Sequence, residues 1–264
     1  MAEAHLFPIL THIGSFDLHT YGALGAAGFL LGCWIALRHA RRMGWSPDSV
    51  IDVIFYASVA AIMGARLVWM LQNPGHFQSP FDLINLRSGG LVFYGAFLGF
   101  PAAAWAIRRH KLPTWEVLDM FGQILPLAHG ISRLGCLGAG CCYGLPTTLP
   151  WGVLYTDPLT AAPRDVARHP TQVYEAIGLF LIFGLMTWLS TRKRFSGQVV
   201  LSYALSYAAL RSVVELFRGD ADRGFAFEGL LGPVLSTSQG VSIVVAITAL
   251  ALWRWRSTAT ATAA

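Results

Sequence analysis

The sequence predicts an all-α, polytopic membrane protein with seven transmembrane helices. Of the 264 residues, 55% are hydrophobic and only 12% are charged, whereas a soluble domain carries about 25% charged residues. Several apolar stretches approach the roughly 20 residues that a membrane-spanning helix needs. The net charge of +5 comes from basic residues that cluster where these stretches end, a pattern typical of membrane orientation. We therefore expect no nucleic-acid partner.

The first four predicted helices are each bounded by basic or turn-forming residues. RHARR follows the first, QNPGHFQSPFD follows the second and RRHK follows the third. A proline-containing loop follows the fourth and is predicted at about residues 136–171. The four helices are predicted at residues 18–37, 50–71, 90–107 and 115–134.

The last three predicted helices follow that loop. TRKR ends the fifth, RGDADRG ends the sixth and RWR ends the seventh. Their predicted ranges are residues 173–189, 199–217 and 234–253. Apart from a short Ala/Thr tail, no low-complexity segment, repeat or soluble domain interrupts the series. Residues 1–264 are therefore predicted to form a single transmembrane domain.

The distribution of lysine and arginine predicts which side of the membrane each loop faces. The basic segments after helices one, three, five and seven hold eleven of the 19 lysines and arginines, and the opposite side holds five. Cytoplasmic loops carry the excess of these residues, so the N-terminus is predicted outside and the C-terminus in the cytoplasm. The long loop then faces outward. The first residues lack a basic region and a small-residue cleavage site, so we expect no removable signal peptide.

Three arginines, Arg66, Arg133 and Arg211, fall at membrane depth, and Glu215 follows Arg211 by four residues on the same helical face. A charge at the bilayer centre costs at least roughly 2.5–3.5 kcal/mol, so such residues usually face an internal cavity. Arginine forms bidentate bonds to phosphate, and the abundant phosphate in a membrane is a phospholipid headgroup. The pattern therefore favours a lipid-binding site inside the helix bundle.

Other interpretations of these charges stay open. Arg211 and Glu215 would also serve as a purely structural pair, and Arg66 would reach the interface by snorkelling. An ion channel with arginine rings and an anion transporter also fit fixed positive charges, although inverted repeats are not apparent.

Three of the four cysteines lie in the segment RLGCLGAGCCYG, at Cys136, Cys141 and Cys142. Small residues of this kind favour close helix packing. In an oxidising compartment, Cys136 would form a disulfide with Cys141 or Cys142. A reactive thiol or a metal site is the third interpretation, but C-x4-C-C is not a usual zinc spacing. His129 and His169 would complete such a site only if the fold brings them in.

Seven motifs of the chain resemble, in the same order, those of the prolipoprotein diacylglyceryl transferases. SRLGCLGAGCCYG lies without a gap on the family signature G-R-I-G-N-F-I-N-G-E-L-Y-G. HPTQVYEA is similar to H-P-S-Q-L-Y-E-A, and YAALRSVVELFRGDAD is similar to Y-G-x-x-R-F-x-x-E-F-F-R-x-P-D. The resemblance covers nearly the whole chain, and its remaining motifs are HTYG, GARL, SGGLVFYGAFLGF and STSQG.

The resemblance implies an enzyme of the bacterial inner membrane. Such enzymes transfer the diacylglyceryl group of phosphatidylglycerol to the lipobox cysteine of a preprolipoprotein, which forms a thioether and releases glycerol-1-phosphate. The implied partners are therefore phosphatidylglycerol, the signal peptide of a preprolipoprotein and membrane lipids. We expect no cofactor and no metal ion.

The motifs also imply roles for individual residues of this chain. By motif match, Arg133 and Arg211 are the candidate catalytic arginines, which would neutralise the phosphate as it leaves. Glu215 would orient Arg211, and Tyr94 stands where the family has a histidine that handles the thiol proton. The residues implied to bind the phospholipid are Tyr21, Arg66, Arg133, Gln172, Glu175 and Arg211.

The departures from the family pattern are concentrated at this implied site. Tyrosine has a reference pKa of about 10, so Tyr94 is a weak base, although its hydroxyl can donate a hydrogen bond. Cys136 and Ala139 replace the two asparagines of the signature, Cys141 replaces its glutamate and Ser132 its first glycine. Two alternatives therefore remain beside the family reaction. One is a divergent transferase with another acceptor or donor, and the other is a non-enzymatic lipid-binding or transport protein.

Overall fold

The computed structural model describes residues 2–4, 7–14, 16–76, 79–85, 90, 92–220 and 236–261, most of which are helical. The described residues hold seven α-helices, each of which overlaps one predicted transmembrane range. They are α1 (Thr20–Arg42), α2 (Pro47–Gln72), α3 (Gly99–Arg109), α4 (Thr114–Ala139), α5 (Thr171–Ser190), α6 (Gln198–Glu215) and α7 (Thr237–Ala261).

Four of these helices are long and apolar enough to cross a membrane, namely α1, α2, α5 and the segment Thr237–Ala259 of α7. They expose large apolar side chains such as Leu30, Leu181 and Ile247. Extended apolar surface of this kind indicates contact with lipid or with another protein. The helical membrane-protein class is therefore confirmed, whereas the seven crossings and the outward N-terminus stay predictions.

The third predicted helix is not one continuous α-helix. A 3₁₀ helix, Phe93–Leu98, precedes α3, whose 11 residues extend only about 16 Å. A side chain at Gly95 would collide with the carbonyl oxygen of Gly64 in α2. The N–H of Val92 donates to the carbonyl of Ala65 at 3.0 Å. This close approach to α2 holds the start of the segment in the tighter 3₁₀ form.

The fourth helix is longer than predicted, and the loop after it is shorter. α4 ends at Ala139, so Cys136 lies in its last turn and not in the loop predicted from residue 136. Gly140 stops the helix with a φ of +66°. The N–H groups of Gly140 and Cys141 donate to the carbonyls of Leu137 and Cys136 at 3.1 and 3.2 Å. These two hydrogen bonds form a Schellman motif, which satisfies carbonyls that a helix end leaves free.

The all-α prediction misses four short strands in the described part of the chain. β1 (Ala2–Ala4) runs parallel to β4 (Val153–Tyr155), and β2 (Ile9–Ile13) runs antiparallel to β3 (Phe16–His19). In the long loop, Val153 and Arg168 exchange two hydrogen bonds of 2.9 Å. Backbone groups outside the helices need partners of their own, and these short pairings supply them.

The chain forms two compact units, and the single transmembrane domain stays a prediction. The larger unit comprises Met1–Gly32 and Leu118–Ala264, and the smaller unit comprises Cys33–Val117. Met186 of α5 and Val199 of α6 are fully buried together in the larger unit. Val53 of α2 and Ile107 of α3 are buried in the smaller one.

Asp119 of α4 fixes where α6 begins. Its Oδ1 accepts a hydrogen bond from the N–H of Val200 at 3.0 Å. Its Oδ2 accepts from the N–H of Gly197 and from Nζ of Lys193, both at 2.9 Å. A carboxylate at a helix N-terminus matches the free N–H groups and the helix dipole there. This contact anchors the helix that carries Arg211.

Candidate active site

Arg133 joins three chemically different groups in the larger unit. Its Nε lies 3.1 Å from Oε2 of Glu175 and donates to Nε2 of His129 at 3.2 Å. Its Nη1 donates to Sγ of Cys142 at 3.5 Å. Because Nε2 of His129 accepts this hydrogen bond, the imidazole is neutral and carries its proton on Nδ1. His129 is therefore not placed as a metal ligand through Nε2.

Glu175 is the anionic centre of this cluster. It lies one turn into α5, and its side chain is only 1% exposed. The hydroxyl of Tyr207 on α6 donates to its Oε1 at 2.9 Å. A buried carboxylate without partners would cost several kcal/mol, so Arg133 and Tyr207 together hold its charge. Glu175, which the sequence implies as a lipid-binding residue, directly orients Arg133.

Arg211 and Glu215 lie on one face of α6, as their spacing predicts. Nη2 of Arg211 lies 2.6 Å from Oε2 of Glu215 and donates to Oγ of Ser238 on α7 at 2.9 Å. In the part of the chain that the structure describes, Nη1 of Arg211 is buried and has no hydrogen-bond partner. Buried donors are rarely left unmatched, so this atom is positioned for an anionic ligand.

The backbone of the cysteine segment is held by the first residues of α5. The hydroxyl of Thr171 donates to the carbonyl of Cys142 at 2.6 Å. Nε2 of Gln172 donates to the carbonyl of Cys141 at 2.6 Å and to the hydroxyl of Tyr155 at 3.0 Å. Burial raises the pKa of Tyr155 to about 12, so the phenol stays protonated. Gln172, implied by motif match to bind lipid, contacts the loop backbone here.

The three cysteines that the sequence singles out lie together. The sulfur atoms of Cys136, Cys141 and Cys142 are all within 4.8 Å of one another, and all four cysteines are free thiols. Hydrogen bonds from the thiols of Cys136 and Cys141, and then the charges of Arg218 and Arg133, lower the pKa of Cys142. The cluster is thus a group of thiols beside two guanidinium groups.

Arg218 is a residue of this neighbourhood that the sequence analysis did not select. It forms a short ion pair with Asp220, and its backbone forms a β-bridge with Gly144. The N–H of Gly219 donates to the carbonyl of Tyr143 at 3.1 Å. The signal was present in the sequence, because Arg218 stands at the second arginine of the family's R-F-x-x-E-F-F-R-x-P-D.

Tyr21 lies against the same helix as Arg133. It stands in the first turn of α1 and is half exposed. A Cβ atom added to Gly135 would lie 3.0 Å from the Cα of Tyr21, so glycine permits this approach of α1 to α4.

Arg66 and Tyr94 belong to the smaller unit. Arg66 is 2% exposed, and its Nε and Nη1 donate to the carbonyls of Asp82 and Gly90 at 3.0 and 3.1 Å. Its guanidinium lies 4.7 Å from the ring centre of Trp69. These contacts give Arg66 a structural role in its own unit, and its lipid-binding role stays a prediction. Tyr94 falls in the 3₁₀ helix, and its side chain lies outside the described part.

An apolar groove of about 480 Å³ opens beside the loop in the larger unit. Nε1 of Trp151 donates to the hydroxyl of Tyr174 at 2.9 Å, and that hydroxyl lies 3.1 Å from Nδ1 of His169. The volume is in the range of small-molecule pockets. The lining residues are Leu149, Trp151, His169, Tyr174, Leu210, Val213, Val214 and Phe217.

Two comparisons with known proteins, one with family models and one with individual relatives, identify the same family. Residues 8–255 match the family model described as prolipoprotein diacylglyceryl transferase. Relatives named phosphatidylglycerol–prolipoprotein diacylglyceryl transferase include one from Clostridium tetani, 30% identical over 91% of this chain and 94% of its own length. The relative from Cupriavidus metallidurans is 31% identical, over 91% and 89% respectively. The one from Solidesulfovibrio magneticus is 33% identical, over 87% and 89%.

Proposed function

Since the chain belongs to the prolipoprotein diacylglyceryl transferase family, we propose that it performs the family reaction on phosphatidylglycerol. In this reaction the lipobox cysteine thiolate of a preprolipoprotein attacks the diacylglyceryl carbon that bears the phosphate. The carbon–oxygen bond breaks, and a thioether bond forms. Glycerol-1-phosphate leaves with the bonding electrons, and the thiol proton passes to a base or to solvent.

The observation that carries the proposal is the buried Nη1 of Arg211. Among the described residues this atom has no hydrogen-bond partner, whereas Nη2 forms an ion pair with Glu215 and donates to Ser238. A phosphate oxygen is the acceptor that suits a guanidinium donor at membrane depth. Charge develops on the leaving phosphate as the carbon–oxygen bond breaks, and a fixed cation stabilises this charge without reorganisation.

Arg133 supports the same chemistry from α4. Glu175 and Tyr207 fix its position before any substrate binds, which lowers the cost of orienting it in the transition state. We assign Arg133 and Arg211 to the phosphate, and Glu215 to the orientation of Arg211. The further residues of the proposed phospholipid site in the larger unit are Tyr21, Gln172 and Glu175. For the smaller unit, motif match alone supports the proposal that Arg66 binds the phospholipid and that Tyr94 donates a hydrogen bond to the thiol.

The apolar groove suits the hydrocarbon part of a substrate. Its lining includes Leu210 and Val214 of α6, the helix that carries Arg211. An acyl chain or an apolar signal-peptide segment in this groove would gain roughly 25 cal/mol per Å² of buried apolar surface. We propose that the groove binds such a chain while Arg211 holds the headgroup phosphate.

We further propose the inner membrane as the location, with seven crossings, an outward N-terminus and a cytoplasmic C-terminus. The basic segments RHARR, RRHK, TRKR and RWR support this orientation, because they follow alternate helices. The long loop, the thiols and the start of α5 would then face the side on which a preprolipoprotein presents its lipobox.

The test combines complementation with a direct assay. Bacteria depleted of their own transferase would receive the parent chain, Arg211→Ala, Arg133→Ala or the control Arg164→Ala, which removes an exposed loop arginine. We expect growth with the parent and the control only.

The direct assay uses the purified chain. A lipobox peptide should gain the mass of a diacylglyceryl group only when phosphatidylglycerol is present. Arg211→Ala should lower this rate about 10²–10³-fold.

Two results would contradict the proposal. One is full activity of a correctly folded Arg211→Ala chain, which would remove the phosphate role of that residue. The other is a folded, lipid-reconstituted parent chain that modifies no lipobox peptide with phosphatidylglycerol. In that case Tyr94, Cys136 and Cys141, where this chain departs from the family signature, favour a divergent transferase with another acceptor or donor. Net lipid movement across sealed vesicles without a chemical product would instead indicate transport.

A further inference from the structure

The end of α4 and the residues after it bring three thiols into one small volume. The sulfur atoms of Cys136, Cys141 and Cys142 lie within 4.8 Å of one another. In a site with metal–sulfur bonds of about 2.3 Å, ligand sulfurs are about 4 Å apart. The three thiols therefore need to move little to share a single cation.

Backbone geometry holds this arrangement in place. The Schellman motif brings Cys141 back over Cys136, since Gly140 has a φ of +66° and the N–H of Cys141 donates to the carbonyl of Cys136. Cys142 itself has a φ of +59°, a left-handed conformation that residues with a side chain adopt uncommonly. Such outliers persist where the surroundings hold them, often at functional sites.

The start of α5 supplies the surroundings that hold these backbone atoms. Thr171 and Gln172 are both 1% exposed, and their side chains donate to the carbonyls of Cys142 and Cys141 at 2.6 Å. Neither residue can move without leaving a buried polar group unmatched. Buried hydrogen bonds therefore hold the backbone that carries the thiols of Cys141 and Cys142.

Charge around the thiols suits a thiolate–metal centre. Three thiolates with one monovalent or divalent cation keep a net negative charge, which a low-dielectric site must neutralise. Nη1 of Arg133 donates to Sγ of Cys142 at 3.5 Å, and the charge of Arg218 also acts on Cys142. Hydrogen bonds to ligand atoms from such outer groups orient the ligands and tune a metal site.

We propose that Cys136, Cys141 and Cys142 bind one thiophilic cation, Zn²⁺ or Cu⁺, through their three sulfur atoms. Soft thiolate ligands select these ions over harder ones. The three thiols lose their protons to solvent as the ion binds, and no electron is transferred. The site requires no transferase activity, so its test is independent of the function proposed above.

The experiment measures metal binding to the full chain in detergent, reduced and kept without oxygen. The chain is equilibrated with Zn²⁺, and separately with Cu⁺, and unbound ion is removed before the metal-to-protein ratio is measured. We expect one ion per chain in at least one of the two arms. The control Cys33→Ser removes the fourth cysteine, which lies in the smaller unit, and should bind the same amount.

Removal of each proposed ligand should weaken this binding. Cys136→Ser, Cys141→Ser and Cys142→Ser should each lower the affinity at least about tenfold, since even outer groups of metal sites contribute that much. For variants that do not fold, thiol alkylation of the parent chain gives a second measurement. The bound ion should protect three of the four thiols and leave Cys33 as reactive as before.

Three outcomes would overturn the proposal. One is a parent chain that binds neither ion stoichiometrically after reduction. Another is binding that persists unchanged in a folded Cys142→Ser chain. The third is a chain, purified anaerobically from cells, in which two of the three cysteines already form a disulfide that re-forms after reduction when oxygen is admitted as the oxidant, which would indicate a redox pair.

Discussion

At the scale of single residues, Arg133 and Arg211 each pair with a buried glutamate. Glu175 neutralises Arg133, and Glu215 neutralises Arg211. The two arginines differ in their other contacts, because the guanidinium of Arg133 also contacts His129 and Cys142. Within the described residues, Nη1 of Arg211 has no such contact. The two arginines therefore have different proposed roles. Arg211 is the more open phosphate site, and Arg133 is a cation that its neighbours hold in place.

The first prediction concerns the carboxylate of Glu175. In Glu175→Gln, the buried guanidinium of Arg133 keeps its position without an anionic partner. Because one member of a buried ion pair is lost, the free energy of unfolding should fall by about 3 kcal/mol. Thermal unfolding in detergent measures this change, and transferase activity should fall with it.

The matched control for this prediction is Asp165→Asn. Asp165 pairs with Arg168 at 3.0 Å, but its side chain is 64% exposed. Solvent screens such a pair, so the unfolding temperature should stay nearly unchanged. Equal destabilisation by the two substitutions would show that Glu175 does not carry the buried charge of Arg133.

At the scale of secondary-structure elements, the end of α4 organises the site. The helix continues through Ala139, and Gly140 then reverses the chain. This reversal sets Cys141 next to Cys136, and the loop returns to place residues 144–145 beside residues 169 and 217. Sequence reasoning ended this helix at residue 134, five residues too early, so that Gly135 and Gly138 fell outside it. Gly135 and Gly138 instead lie inside the helix and permit close packing on α1.

The second prediction tests this helix end through Gly140→Ala. The new Cβ would lie 2.7 Å from Cβ of Thr160, and an L-residue at this φ is also strained. The left-handed conformation alone costs roughly 1–2 kcal/mol, so the free energy of unfolding should fall by at least that amount. Chemical denaturation in detergent measures it, and the three-thiol cluster should lose its order at the same time.

Gly184→Ala is the control for the glycine substitution. Gly184 lies inside α5, where an added Cβ meets nothing within 4 Å. Alanine is the better helix former by up to about 1 kcal/mol, so this variant should be as stable as the parent or slightly more stable. If Gly140→Ala behaves in the same way, the left-handed helix end does not determine the stability of this region.

At the scale of the whole molecule, the chain is a multi-pass membrane protein of a transferase family. Four helices meet the length and apolarity of a membrane span. α4 and α6 carry Arg133 and Arg211, and their polar residues lower the mean hydropathy of these two helices. The third segment is divided into a 3₁₀ helix and α3. The crossing of these three segments therefore stays a prediction.

The third prediction concerns the orientation of the chain. A reporter enzyme that folds only outside the cytoplasm, inserted within residues 156–165, should be active. The same reporter joined after residue 110, after residue 194 or at the C-terminus should be inactive, because basic segments precede those positions. Paired insertion of a reporter that folds only in the cytoplasm is the control. Activity of the first reporter at residue 110 would show that the third segment does not cross as predicted.

The sequence by itself determined the membrane class, the order of the helices, the family and which charged residues fall within its apolar segments. These properties follow from composition, from local periodicity and from motifs in a fixed order, which do not depend on how distant segments meet. Only the tertiary structure decided the partners of those charges. Glu175 and Arg133 are 42 positions apart, and Thr171 and Gln172 meet Cys142 and Cys141 only when the loop folds back. The three thiols come together through local and tertiary structure. The local end of α4 places Cys136 near Cys141, and contacts with residues far away in the sequence hold Cys142 beside them.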